Sequence, residues 1–343
     1  MNFKKIKATR LTLPLLGLML GLLTACGSSQ IASVEEMNAD VESQERYVLP
    51  NTYVEHRSQQ RVFNSTGGKI AYLDYGTGPV LVLLHGVPSS SWLYRQMIEP
   101  LQKNYRVIAI DLLGFGSSDK PESNHENYQI PSQASYVTQL LSSLGIKDYN
   151  LLFHDMGGLV GWELVNNSIN SGASAAPSVS NLIVLNTIIA KHGFEHPKMK
   201  KGTVARIMSD TFANQLSSAA ALELTFQNMG LSANKALSEN ECNGYVIPMQ
   251  EGNGDVLYDF YTSFDHSRFE RLESQISNLS NFDGDVLVLW GAQDKVLTTQ
   301  QIPVLQKAAN VKSNNIHIFN DNAHFLPEEI PEILVEKIQG FAR

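Results

Sequence analysis

A short apolar run over residues 150–153 ends abruptly at His154-Asp155; two glycines follow, and a helical pattern starts at Leu159 and continues to Val165. A strand, a sharp turn with one reactive side chain at its tip, and a helix make up the layout of a nucleophile elbow. Serine is the usual occupant of that turn. Here it is Asp155, and the change decides what chemistry the turn can support.

The rest of the chain supplies a setting for such a turn. Residues 60–63 and 69–74 flank Ser65-Thr66-Gly67-Gly68 and read as an antiparallel hairpin. Continuous apolar runs at 80–84 and 105–110 have the character of strands buried on both faces. A helix is expected over about 92–101 with Ser91 as its cap, and another over 132–144, where Tyr136, Leu140, Leu141 and Leu144 share a face. Residues 168–180 are small and polar and read as a loop. Strands follow at 182–185, 286–290 and 315–319, and a last helix over 330–341. Alternating strands and helices predict an α/β fold, a largely parallel sheet with helices on both faces. The alternation stops after Asn186-Thr187. Residues 188–280 look helical and are expected to form an inserted lid over the edge where parallel sheets bind ligands. The expected organisation is therefore a core of 49–187 and 281–343 with that lid between its halves.

Three side chains stand just past strand ends: Asp155, Asp294 in Trp290-Gly291-Ala292-Gln293-Asp294-Lys295, and His324 in Asn322-Ala323-His324-Phe325. All three are expected at one edge of the sheet, in the order nucleophile, acid, histidine. The backbone N–H groups of Val87, after His85-Gly86, and of Met156 are candidate oxyanion donors. An aspartate is already ionised and needs no base for activation. It displaces a leaving group from a saturated carbon and becomes an ester. His324, oriented by Asp294, then activates the water that hydrolyses the ester. No phosphate loop, metal-ligand spacing or dinucleotide fingerprint appears, so neither cofactor nor metal is expected.

These motifs resemble those of the haloalkane dehalogenase and epoxide hydrolase branch of the α/β-hydrolase superfamily. The likeness covers about residues 50–343. It rests on His85-Gly86-Val87-Pro88-Ser89-Ser90-Ser91, on Asp111-Leu112-Leu113-Gly114-Phe115-Gly116-Ser117-Ser118-Asp119-Lys120-Pro121, on His154-Asp155-Met156-Gly157-Gly158, on Asp294-Lys295 and on Ala323-His324-Phe325-Leu326. It implies an α/β-hydrolase fold and a small, apolar to moderately polar organic substrate. Departures bear on the leaving group. Dehalogenases of the branch place a tryptophan after the nucleophile, where this chain has Met156, and many an asparagine where it has Val87; residues 188–280 contain no tryptophan. A developing halide would lose roughly 2–4 kcal/mol for each missing donor. Epoxide hydrolases protonate the opening oxygen, usually from paired lid tyrosines. Tyr245, Tyr258 and Tyr261 are the candidates, Phe260-Tyr261 being the step that resembles the family's. An epoxide hydrolase is the leading expectation and a haloalkane dehalogenase the alternative. An ester or lactone hydrolase, or a binding protein that lost the chemistry, also stays open.

The N-terminus predicts where the protein sits. Lys4, Lys5, Lys7 and Arg10 precede a short apolar stretch that ends Leu23-Thr24-Ala25-Cys26, which resembles a bacterial lipobox. Residues 1–25 are expected to be removed and Cys26 lipidated, with 26–48 as a tether. The expected location is the cell envelope, on an outer membrane. Loss of four positive charges takes the formal charge from −8 to −12, which argues against nucleic-acid binding. Cys242, the other of two cysteines, is then left without a disulfide partner.

Overall fold

The computed structural model describes residues 46–341 except 125, 172–176, 195–201, 233–234, 253 and 263–265. The leader, Cys26 and most of the tether fall outside these residues.

The hairpin β1 (Arg61–Ser65) and β2 (Gly68–Tyr75) opens an eight-stranded sheet ordered β1-β2-β4-β3-β5-β6-β7-β8. β2 runs antiparallel to β4 (Arg106–Ile110). From β4 onward every neighbour is parallel: β3 (Val80–Leu84), β5 (Asp148–Asp155), β6 (Ser178–Thr187), β7 (Val286–Gly291) and β8 (Ile316–Phe319). The runs Leu81 to Leu84 and Leu151 to Phe153 are wholly buried, as strands covered on both faces must be. Helices α1 (Tyr53–Ser58), α2 (Arg95–Leu101), α3 (Ile130–Ser143) and α4 (Gly157–Ser171) alternate with the first strands. Helices α5 (Thr203–Leu216), α6 (Ala219–Met229), α7 (Glu239–Gln250), α8 (Gly254–Thr262) and α9 (His266–Asn278) lie between β6 and β7. Helix α10 (Gln301–Ala308) joins β7 to β8. Helices α11 (Leu326–Glu329) and α12 (Pro331–Phe341) close the chain.

Two local expectations need correction. The helix at 92–101 begins as a 3-10 turn over Ser91–Tyr94, and its cap is Ser90, whose hydroxyl accepts from Trp92 N–H at 3.2 Å. The Ser91 hydroxyl meets His56 Nε2 at 2.9 Å instead, while its N–H donates to Asp111 Oδ1 at 2.7 Å. The stretch 168–180 is not all loop, because α4 continues to Ser171 and β6 starts at Ser178. Tertiary bonds carry the helix through these polar residues: Asn166 Nδ2 donates to the Gln275 carbonyl, and Ser168 Oγ accepts from Val179 N–H.

Within the helical insertion, α9 belongs to the flank of the sheet. Its Arg271 and Gln275 bind the buried Glu163 of α4. Helices α6 to α8 lie against the loops that follow the strands. A Cβ at Gly244 of α7 would strike the Trp92 ring at 2.1 Å, and one at Gly114, after β4, would meet Val256 of α8 at 2.8 Å.

Candidate active site

Asp155 ends β5 with a φ of 50°, a conformation that side-chain-bearing residues rarely adopt. Neighbouring glycines make the turn possible. A Cβ at Gly157 would lie 2.5 Å from the His85 carbonyl oxygen, and one at Gly158 1.8 Å from Thr187 Oγ1. The Thr187 hydroxyl donates to the Asp155 carbonyl at 2.6 Å and ties the turn to β6. Gly86 clears the side chain itself, since a Cβ there would sit 2.3 Å from Asp155 Cβ.

The two carboxylate oxygens of Asp155 have different surroundings. Oδ1 accepts from Val87 N–H at 2.8 Å. Met156 N–H lies on the same side and also favours the charged carboxylate. Oδ2 faces His324 Nε2 at 3.8 Å. Burial raises the Asp155 pKa, opposed by the His324 charge and by the two N–H donors.

His324 is fully buried, and its Nδ1 lies 2.7 Å from Asp294 Oδ2. Asp294 only accepts: Oδ1 takes Val296 and Leu297 N–H, both at 2.8 Å, and Oδ2 also takes Asn186 Nδ2 at 2.7 Å. The Nδ1 atom therefore carries the proton. In the neutral ring Nε2 presents a lone pair toward Asp155, and it has no hydrogen-bond partner. Burial works against a charge on His324, but Asp294, its hydrogen bond, Asp155 and Glu329 outweigh it and push the pKa up to about 9.

The predicted trio Asp155, Asp294 and His324 thus meets at one sheet edge, with Val87 N–H bonded to the Asp155 carboxylate. The tyrosines are placed differently. Tyr245 is buried, and its hydroxyl donates to Glu328, which Arg95 pairs. The half-buried Tyr258 accepts from Gly202 N–H at 3.1 Å. The side chain of Tyr261 lies outside the described residues. Sequence reasoning missed Asn186, which positions Asp294 while its Oδ1 accepts from Gly291 N–H at 2.8 Å. It also missed Thr187. Their place at the end of β6, beside β5 and β7, was the available signal. Among described residues, a cavity of about 580 Å³ borders this site through Gly230, Gln293 and Ala323 but is not lined by Asp155. It adjoins the acid and base loops, away from the nucleophile.

A family model described as the alpha/beta hydrolase fold matches residues 79–331. Haloalkane dehalogenase 2 of Mycobacterium tuberculosis is 40% identical over 100 residues, 29% of this chain and 34% of that protein. The match thus spans about a third of that relative's length. A cis-3-alkyl-4-alkyloxetan-2-one decarboxylase of Xanthomonas campestris is 26% identical over 296 residues, which cover 80% of this chain and 92% of that protein. Among solved structures, the epoxide hydrolase CorEH superposes with a TM-score of 0.62 at 22% identity, covering 82% of this chain and 97% of that one. That last likeness is one of fold.

Proposed function

The chain belongs to the alpha/beta hydrolase fold family, and from that premise we propose that it is a cofactor-free hydrolase with Asp155 as its nucleophile. One observation carries the reading: Asp155 Oδ1 is held by Val87 N–H while Oδ2 faces the unpartnered Nε2 of His324. In the first step Oδ2 bonds to a saturated carbon, and the leaving group departs with its electron pair. In the second, His324 Nε2 takes a proton from water, and the oxygen attacks Asp155 Cγ. Negative charge collects on Oδ1 beside the N–H groups of Val87 and Met156. The bond from Cγ to Oδ2 then breaks, and Oδ2 leaves in the product alcohol, which takes up the proton. Helices α5 to α8 serve as the lid.

An epoxide is the leading substrate class, with Tyr258 and Tyr261 as the remaining candidate acids, since the Tyr245 hydroxyl donates its proton to Glu328 whereas the Tyr258 hydroxyl only accepts from Gly202 N–H. A haloalkane is the alternative, disfavoured by Met156 in place of a ring N–H donor. The nearly full-length likeness to the oxetanone decarboxylase favours a further reading, a strained lactone. Its leaving carboxylate is a stable anion that needs neither a halide site nor a protonated tyrosine.

The mechanism predicts where oxygen goes. In a single turnover in heavy-oxygen water, the label enters the Asp155 carboxylate, and the product hydroxyl carries an unlabelled oxygen from Asp155. Label in the product alone would exclude the ester route.

The leader extends the proposal to location. Cleavage before Cys26 and lipid on its thiol would hold the domain at the envelope through a tether shorter than the expected 26–48, because Tyr47 is buried in the core and bonded at both its N–H and its carbonyl to Gln102. Cys26→Ser is expected to move the protein from the membrane to the soluble fraction. An unchanged distribution would rule out the anchor.

A further inference from the structure

His324 is held by its backbone as well as by its ring. Its N–H donates to the Gly230 carbonyl at 2.6 Å, and its own carbonyl accepts from His154 Nε2 at 2.8 Å. The first contact comes from the insertion. Gly230 ends α6 with a φ of 134°, and a Cβ there would lie 3.0 Å from His324 Cβ. At the same junction Phe226 of α6 stacks on Phe325, with ring centroids 4.2 Å apart. The second contact comes from β5, because His154 immediately precedes Asp155.

A carbonyl oxygen only accepts, so His154 carries its proton on Nε2. Its Nδ1 is left buried with no partner. Burial, with His324 and His85 close by, holds the His154 pKa well below its ordinary value, so the ring stays neutral beside the base. An unpaired nitrogen in the interior is unfavourable. Here the other nitrogen of the same ring holds the base.

We propose that His154 is a positioning residue that, together with the Gly230 carbonyl, clamps the His324 backbone and thereby governs release of the Asp155 ester and not its formation. The inference rests on the aspartate–ester reading above. Formation needs the Asp155 carboxylate and the N–H groups of Val87 and Met156, none of which His324 carries. Release needs a water placed between His324 Nε2 and Asp155 Cγ. A displacement of about 1 Å in such an arrangement can cost on the order of 10²-fold in rate.

The test uses the full chain with styrene oxide as probe and reads the two steps separately, by rapid quenching and intact mass. His324→Gln is the reference: where the wild type consumes styrene oxide, a trapped adduct shows that the ester reading holds, and its absence fails that reading and not the clamp. His154→Leu is expected to form the ester within about twofold of the wild-type rate and to release it at least about tenfold more slowly. His154→Gln, whose amide can donate to the same carbonyl, is expected to recover release to within about threefold, whereas His154→Asn, which is too short, is not. The downfield proton resonance of the His324–Asp294 hydrogen bond provides a readout that needs no turnover. It should persist in His154→Gln and broaden or vanish in His154→Leu and His154→Asn. Wild-type release in folded His154→Leu, equal slowing of both steps, or an unchanged proton signal overturns the proposal. If His154→Leu does not fold, the comparison of His154→Gln with His154→Asn decides, and equal behaviour of the two overturns it.

Discussion

His324→Gln is expected to stop the protein halfway, as an ester on Asp155 whose mass can be read directly. Alkylation needs no base, since the nucleophile is a carboxylate, so the first step survives. The second loses its general base, and steady-state turnover falls by about 10²–10⁴-fold. The mass gained shows whether the leaving group stays attached or departs. An epoxide adds the whole substrate, because its leaving oxygen stays attached, whereas a haloalkane adds the substrate less its hydrogen halide. If no adduct forms with epoxides, haloalkanes or lactones that the wild type consumes, Asp155 is not the nucleophile.

The same residue sets the pH dependence. In the resting site His324 is pushed up to about 9, against burial, by Asp294, its hydrogen bond, Asp155 and Glu329. The protonated ring cannot act as a base. Ester formation removes the Asp155 charge, one of the upward influences, so in the intermediate the ring gives up its proton below pH 9. The wild-type release rate should therefore rise with pH and level off before 9. Ester formation should fall on the acid side, where Asp155, raised above the ordinary carboxylate range by burial, takes up a proton. A release rate that declines between pH 6 and 8 would contradict this assignment, since loss of a proton from His324 can only help that step.

The second large effect concerns stability. Arg95 and Glu328 form a buried ion pair, 2% and 0% exposed, which links α2 to α11 just beyond His324. Tyr245 donates to the same glutamate, and Arg95 also reaches Glu241 at 3.1 Å, so helix α7 of the insertion is tied in. Arg95 lies 4.4 Å over the Trp92 ring. Glu328→Leu would leave the buried guanidinium with the partly exposed Glu241 as its remaining carboxylate, beside the Trp92 carbonyl, and would strip Tyr245 of its acceptor. A loss of about 3–5 kcal/mol is expected, the magnitude for breaking one side of a buried pair. Removing both charges with Arg95→Met and Glu328→Leu should recover most of it, because no unpaired charge then remains. Urea unfolding measures both. A single-variant loss under about 1 kcal/mol would mean that the pair is solvated in practice.

Much of the site was legible because its chemistry lies at strand ends. A continuous apolar run followed by a reactive residue marks a buried strand and its edge, and the parallel arrangement of β5, β7 and β8 carries Asp155, Asp294 and His324 to the same side. The tyrosines were less legible. Helical spacing assigns a face but not a partner, and Tyr245 turned to Glu328, 83 residues away. The cap fell to Ser90 and not Ser91 because Ser91 is engaged by the distant His56 and Asp111, and the length of α4 depended likewise on Gln275.

By itself, then, the order of residues determined the α/β architecture and that Asp155, Asp294 and His324 stand just past strand ends at one sheet edge, because burial of alternating strands and helices depends on local pattern. Only the tertiary structure decided how those groups are held: Asn186 on Asp294, Thr187 on the elbow, and His154 with Gly230 on His324. Each of these bonds joins segments distant in the chain whose meeting is set by sheet order and by the packing of the insertion, and no local pattern encodes either.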